Sequence, residues 1–365
     1  GTADAHHGLN TLDSIDRLGL TRRARTSPFA GESGMITAFV PKNGGIERIG
    51  VGPDDPLPQN AVWLDLFEPT AAETARVQAA LGIALPTREE MREIEPSSRL
   101  YLENDASYMT AQVLARADEP NPMSEPLTFV LARRSLITLR YTDPRPVSSF
   151  ASRICRQVAT CNSAEDALVG LIEAFVDRMA DILEKAGIDL DAVSRQIFAS
   201  GSGARRKGEN DLQMALRTLG RNDDLVSTTR ESLLSLSRLI RFFGATLDSN
   251  ERLDKKLARD LKARLKVVVR DIASLNEHAS FESHKVNFLL DATLGMINIE
   301  QNRIIKLFSV AAVVFLPPTL VASIYGMNFD VMPELKWAFG YPWALVLMVL
   351  SAVLPYLYFK RKGWF

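Results

Sequence analysis

The chain has 365 residues, a formal net charge of −1 and 24% charged residues, a length sufficient for two or three domains. Its near-neutral charge excludes a basic nucleic-acid-binding protein, and we expect no nucleic-acid partner. Cys155 and Cys161 are too few for a disulfide framework and are predicted to be reduced thiols. The sequence contains no Walker-type loop, catalytic triad or zinc-binding pattern of cysteine and histidine. It therefore predicts neither an enzyme nor a nucleotide cofactor.

The first 160 residues are predicted to contain a leader and an α/β domain. Residues 1–34 are polar and lack the apolar core of a signal peptide, so we expect a disordered leader. Across residues 35–160, β-rich runs alternate with helical runs. Thr70 and Glu73 have the spacing of a helix capping box. Strands are predicted in MITAFV, AVWLDLF, SYMTAQVLA, LTFVLA and SLITLRY, and helices in TAAETARVQAAL and TREEMREI.

The middle of the chain is predicted to be entirely helical, because it has few glycines and no proline until Pro317. Residues 161–247 should form two antiparallel helices joined by a Gly- and Ser-rich loop. Residues 248–325 should form one long stalk helix, since apolar residues recur at steps of three and four. Such a helix would be about 110 Å long at 1.5 Å per residue. The alternative is two helices broken near Gly295.

Two uncharged apolar runs, residues 307–325 and 341–359, have the length of transmembrane helices. A pair of buried core helices is the alternative. Arg303 and Lys306 precede the first run, and residues 360–365 form a basic tail after the second. The connecting loop 326–340 has only one lysine. The positive-inside rule therefore places both termini in the cytosol and the loop outside, with the lipid bilayer as a partner.

The loop after the first apolar run carries a recognisable motif. The string Tyr325-Gly326-Met327-Asn328, followed by MPELKWAFGYP, resembles the CorA family of bacterial magnesium transporters over roughly residues 285–365. The resemblance implies an α+β protein of the inner membrane that assembles as a funnel-shaped homopentamer. Five copies of the first span would then line one pore. Gly326, Met327 and Asn328 would form its selectivity filter, and cytosolic Mg2+ would close its gate.

The chemistry of Asn328 suits a hydrated magnesium ion. Mg2+ gives up water reluctantly, and neutral amides can hydrogen-bond to its water shell, whereas a carboxylate would bind too tightly for rapid conduction. Gly326 is expected to adopt a backbone conformation denied to other residues, so that the chain can leave the helix. The alternative role for Asn328 is a helix C-cap or turn.

Helical spacing back from Asn328 predicts a pore-lining face. Within it, Phe308 and Leu316 are predicted to form a hydrophobic gate that excludes ions by dewetting. The alternative is that the apolar members face lipid, and that Thr319 serves to re-satisfy backbone carbonyls freed by the nearby prolines. The predicted face comprises Asn302, Ile305, Phe308, Ala312, Leu316, Thr319 and Ser323.

Five acidic residues are further candidates. Asp330 and Glu334 in the outer loop are predicted to raise the cation concentration at the entrance, or else to belong to a solvated turn. Because cytosolic magnesium must be sensed by carboxylates, Glu93, Asp271 and Asp291 are predicted regulatory metal ligands. Ordinary solvated charges are the alternative for these three.

The sequence thus predicts a channel for potential-driven Mg2+ influx, with Co2+ and Ni2+ as further ions implied by the resemblance. Magnesium would be both the transported and the regulatory ion. One alternative is a zinc-transporting relative of the same fold. Another is a two-span membrane signalling protein, which would leave the polar residues Asn302, Thr319 and Ser323 without a purpose.

Overall fold

A computed structural model describes residues 36–42, 44–119, 121–157, 161–198, 209–249, 253–327, 333 and 337–363. The predicted leader, most of the Gly- and Ser-rich loop and much of the outer loop lie outside these residues. The described chain forms two compact units. The first draws on residues up to 113, 125–175 and 238–267, and the second on 114–124, 176–237 and 268–363.

A seven-stranded sheet has the order β2-β1-β3-β7-β6-β5-β4. β3 and β7 pair in parallel, and β1 pairs antiparallel with both β2 and β3. All five predicted strands form, and β2 and β4, which were not predicted, occupy the two edges. The strands are β1 (Ile36–Lys42), β2 (Gly45–Val51), β3 (Trp63–Phe67), β4 (Leu100–Glu103), β5 (Ala106–Ala115), β6 (Met123–Ala132) and β7 (Ser135–Arg140).

One predicted helix of the first unit forms as expected and the other does not. Helix α1 (Ala71–Leu81) begins at the predicted capping box, where the Glu73 amide and the Thr70 hydroxyl are 3.3 Å apart. TREEMREI forms only a 3₁₀ turn, Glu90–Arg92. Thr87 and Glu90 do cap each other, but Pro86 and Pro96 leave too few residues between them for a stable α-helix.

The remaining helices include one of 71 residues. Helix α6 runs from Lys255 to Tyr325 without a break at Gly295 or at Pro317 and Pro318, so the interrupted alternative is wrong. Part of its apolar stripe packs in the second unit against the two preceding helices, where Val193, Leu219 and Val286 belong to one buried cluster. The other helices are α2 (Pro96–Arg99), α3 (Arg145–Cys155), α4 (Ala164–Phe198), α5 (Glu209–Ser249) and α7 (Gly340–Arg361).

Candidate functional site

The C-terminal part of α6 and the whole of α7 have the length and composition of membrane-spanning helices. Only 6% of the apolar segment of each helix is buried within the described chain. A core helix of a soluble protein would be mostly buried, so the buried-core alternative does not describe this pair. Their apolar surfaces are suited instead to lipid or to other protein chains.

One face of α6 is covered within the chain and the opposite face is not. Val310 is 3% exposed, and the half-buried Val314, Pro317 and Val321 follow it at helical spacing. Ala312 lies two residues after Val310 and therefore about 200° round the helix. It belongs to the predicted pore-lining face.

All seven members of that predicted face are exposed in the single chain. The three large apolar members, Ile305, Phe308 and Leu316, are 61%, 68% and 65% exposed. The structure thus brings the seven residues together on the uncovered side of α6. Whether this side faces a pore or lipid is a matter of assembly, so the pore assignment stays a prediction.

Gly326 follows the last residue of α6. Its amide donates to the Ala322 carbonyl at 2.9 Å, and the Met327 amide donates to Ile324 at 3.3 Å. The backbone at Gly326 is not in the left-handed region, so the expected special conformation is wrong. A Cβ at this position would instead lie 3.1 Å from the Ala322 oxygen. Glycine therefore permits a close backbone approach here.

The remaining residues of the predicted entrance cannot be placed. Asn328, Asp330 and Glu334 lie outside the described residues, and their roles stay predictions. Met327, the last residue described before this gap, is 47% exposed. The side chain is therefore accessible at the end of the span.

Thr319 does not take the alternative role of compensating for the prolines. Its hydroxyl donates to the Phe315 carbonyl at 2.8 Å. Pro317 and Pro318 lack the amide hydrogens that would bond the carbonyls four residues earlier, those of Val313 and Val314. The hydroxyl therefore bonds to the Phe315 carbonyl and not to either of the two carbonyls that the prolines leave without a donor. The helix nevertheless continues past both prolines.

The three predicted regulatory carboxylates do not form a cluster within one chain. Asp271 and Asp291 are exposed on α6, about 30 Å apart along the helix at 1.5 Å per residue. Glu93 is exposed just after the 3₁₀ turn in the first unit. No group of three possible metal ligands occurs in the described part of the chain. Their metal-binding role stays a prediction.

Sequence reasoning missed a charged contact between α6 and α4 in the first unit. The Arg264 guanidinium donates to both oxygens of Glu173, at 2.9 and 2.7 Å, and to Asp166 at 2.5 Å. These bonds raise the pKa of Arg264, with Glu173 as the largest cause. Asp166 is buried and also accepts from the Asn162 amide at 3.1 Å. Asp166 and Glu173 are seven residues apart and therefore lie on one face of α4. This spacing is the sequence signal that could have indicated a shared cationic partner.

Comparison with known proteins identifies the family. The sequence model of a family described as "CorA-like Mg2+ transporter protein" matches residues 58–361. The chain is 38% identical over 330 residues to the magnesium transport protein CorA of Escherichia coli K12, covering 90% of this chain and 100% of that protein.

Solved structures share the fold. The complete CorA magnesium transporter from Methanocaldococcus jannaschii aligns with 92% of this chain and 100% of its own, with a TM-score of 0.66 and 16% identity. The cytoplasmic domain of ZntB from Vibrio parahaemolyticus aligns with 73% of this chain and 99% of its own, with a TM-score of 0.51 and 11% identity. At these identities the likeness concerns the fold alone. The sequence matches carry the further conclusion that the chain belongs to the CorA-like Mg2+ transporter family and is an ion transporter, not an enzyme.

Proposed function

We propose that this transporter is an inner-membrane channel through which Mg2+ enters the cell, with both termini in the cytosol. Five copies form a funnel-shaped homopentamer in which five α6 helices surround one pore. Co2+ and Ni2+ are further permeant ions. The observation that carries the proposal is the exposed face of α6, which lies opposite the side covered at Val310. Along this face, polar residues at both ends flank an apolar middle.

The order of residues along this face supports conduction of a hydrated ion. Thr319 and Ser323 supply hydroxyls towards the filter end, and Asn302 supplies an amide at the cytosolic end. Five copies of the Asn328 amide at the filter can hydrogen-bond to the water shell of Mg2+, which is costly to remove. Neutral amides bind weakly enough to release the ion again. Asp330 and Glu334 raise the local cation concentration at the entrance.

The proposed channel also needs a gate and a driving force. Phe308 and Leu316 have large exposed side chains on the proposed pore face, and a narrow apolar ring of five such residues excludes ions by dewetting. A divalent ion gains about 4.6 kcal/mol per 100 mV of inside-negative potential, twice the value for a single charge. No nucleotide is needed as an energy source. Cytosolic Mg2+ bound at Glu93, Asp271 or Asp291 closes the gate.

Flux into liposomes tests the proposal. Wild-type protein should pass Mg2+ in proportion to the applied potential, and Asn328→Ala should lower this flux by about tenfold or more. Gln213→Ala removes an exposed amide from α5 and should leave flux unchanged. Co2+, Ni2+ and Zn2+ are assayed alongside, because faster Zn2+ flux would favour the zinc-transporting alternative. Absence of any divalent flux in the wild-type protein would refute the proposal.

A second measurement tests the gate separately. Leu316→Ser should raise the Mg2+ flux at high internal Mg2+ by about tenfold, because a hydroxyl removes the dewetting barrier. Phe315→Ser is the matched control, since Phe315 is 71% exposed but points about 100° away on the helix. Equal effects of the two substitutions would mean that residue 316 faces lipid and would refute its role as a gate.

A further inference from the structure

A charged groove lies in the second unit, away from the apolar ends of α6 and α7. It is formed by one face of α4, one face of α5 and the loop that follows β5, and its volume is about 380 Å³. Ile182 and Leu225 are buried and form its floor. A groove of this volume is in the range that holds small-molecule ligands.

Four cations line the groove, and two of them are held in place by the loop. The Arg178 guanidinium and the Asp118 carboxylate are 2.8 Å apart, and Arg221 donates to the Glu119 carbonyl at 3.3 Å. The other two cations, Lys185 and Arg217, form no ion pair or hydrogen bond among the described residues. The groove therefore contains two positioned guanidinium groups and two cations available to a ligand.

The spacing of these cations indicates an extended anion. Arg178 and Lys185 are seven residues apart on α4, which is about 10 Å along the helix axis. Arg217 and Arg221 are four residues apart on α5, about 6 Å. Because arginine guanidinium groups bind phosphate oxygens in a bidentate way, a row of this length suits a chain of linked phosphates better than a single phosphate.

Two carboxylates decide in which form such an anion would bind. Asp181 and Asp189 also line the groove and make no ion pair or hydrogen bond among the residues that the structure describes. They would repel a bare polyanion. Mg2+, however, is commonly bound by one or two carboxylates together with ligand phosphates while it keeps several waters. Free cations and free carboxylates in one groove match both halves of a magnesium–polyphosphate complex.

We propose that this groove binds a magnesium-chelated polyphosphate, such as a nucleoside triphosphate, as an effector of the transporter. Lys185 and Arg217 contact the phosphate oxygens, and Asp181 and Asp189 accept hydrogen bonds from water on the bound Mg2+. The complex is bound and not hydrolysed, so the driving force of transport is unaffected.

Binding to the full-length protein in detergent tests this site without any measurement of flux. Isothermal titration with ATP and with inorganic tripolyphosphate, each with Mg2+, should show binding. Lys185→Gln with Arg217→Gln should weaken it by about tenfold or more. The control, Arg230→Gln with Lys266→Gln, also removes one arginine and one lysine charge, but from exposed positions outside the groove, and should not change binding. Lys185 and Arg217 are both exposed, so neither substitution should disrupt folding.

The remaining arms identify the ligand and its magnesium. Equal affinity for ATP and tripolyphosphate means that the phosphate chain is recognised, whereas tighter ATP binding means that the nucleoside also contributes. Mg2+ should tighten binding in the wild-type protein and not in Asp181→Asn with Asp189→Asn. The proposal is overturned if neither anion binds or if Mg2+ has no effect on the wild-type protein. It is also overturned if the control variant, Arg230→Gln with Lys266→Gln, weakens binding as much as Lys185→Gln with Arg217→Gln. These outcomes are independent of whether the chain conducts Mg2+.

Discussion

The contact of Arg264 with Asp166 and Glu173 should be important for the stability of the first unit. The substitution Arg264→Met keeps much of the apolar length of the side chain and removes all three charged hydrogen bonds. Asp166 would then keep a hydrogen bond from the Asn162 backbone amide but would have no cation beside it. Its side chain is only 5% exposed, so water cannot readily replace the guanidinium.

The size of the effect follows from the burial of the two acids. Removing one partner of a buried ion pair costs about 3–5 kcal/mol, because a charge is left uncompensated. Glu173 is 32% exposed, so its loss is partly offset by water. We therefore expect a loss of about 3 kcal/mol, the lower end of that range. For a unit of this size, this corresponds to a Tm lowered by about 6–12 °C.

Thermal unfolding of the full-length protein in detergent, at one fixed scan rate, measures the change. Arg259→Met is the matched control, since Arg259 is exposed on the same helix and should change the free energy of unfolding by less than about 0.5 kcal/mol. Adding Asp166→Asn to Arg264→Met should recover part of the loss, because the uncompensated charge disappears. Equal Tm values for the two methionine variants, or no recovery in the double variant, would refute the argument.

Two further predictions concern stability. Gly170→Ala should destabilise the protein by about 1–3 kcal/mol, because the added methyl group would overlap the buried ring of Phe150, whereas Gly244→Ala, with open space around it, should be neutral or slightly stabilising in the same Tm measurement. The hydrogen bond from Lys285 lowers the pKa of Asp191, so its stabilising effect is present above pH 3.8 and is lost as the pH falls through the lowered pKa. Asp191→Asn should therefore show a smaller loss of Tm on acidification, and an unchanged acid profile would contradict this.

Several parts of the fold could be predicted because local pattern and final environment agree. The five predicted strands are apolar runs that become the interior of the sheet. The capping box at Thr70 depends on residues three positions apart, and the structure contains it as predicted. The two apolar C-terminal helices were predicted from length and lack of charge, properties that the sequence displays directly.

The errors occurred where the composition of a segment suggests one structure and its surroundings impose another. β2 has the sequence GIERIGV, whose charges and glycines do not resemble a buried strand, and it forms because β1 offers it an open edge. TREEMREI has the composition of a helix, but it is too short for one without tertiary support. The special conformation expected at Gly326 was also wrong, because its backbone is not in the left-handed region; a Cβ there would lie 3.1 Å from the Ala322 oxygen.

The sequence by itself determined the five interior strands, the two apolar C-terminal helices, the Gly-Met-Asn motif and the face of α6 on which Asn302 and Leu316 lie. These follow from periodicity, apolar length and a local motif, which need no knowledge of distant contacts. Only the tertiary structure decided that this face is opposite the side covered at Val310, that Arg264 meets two acids on α4, and that charged residues of α4 and α5 line one groove. Such features join residues far apart in the chain, and their positions are set by packing, which local sequence does not specify.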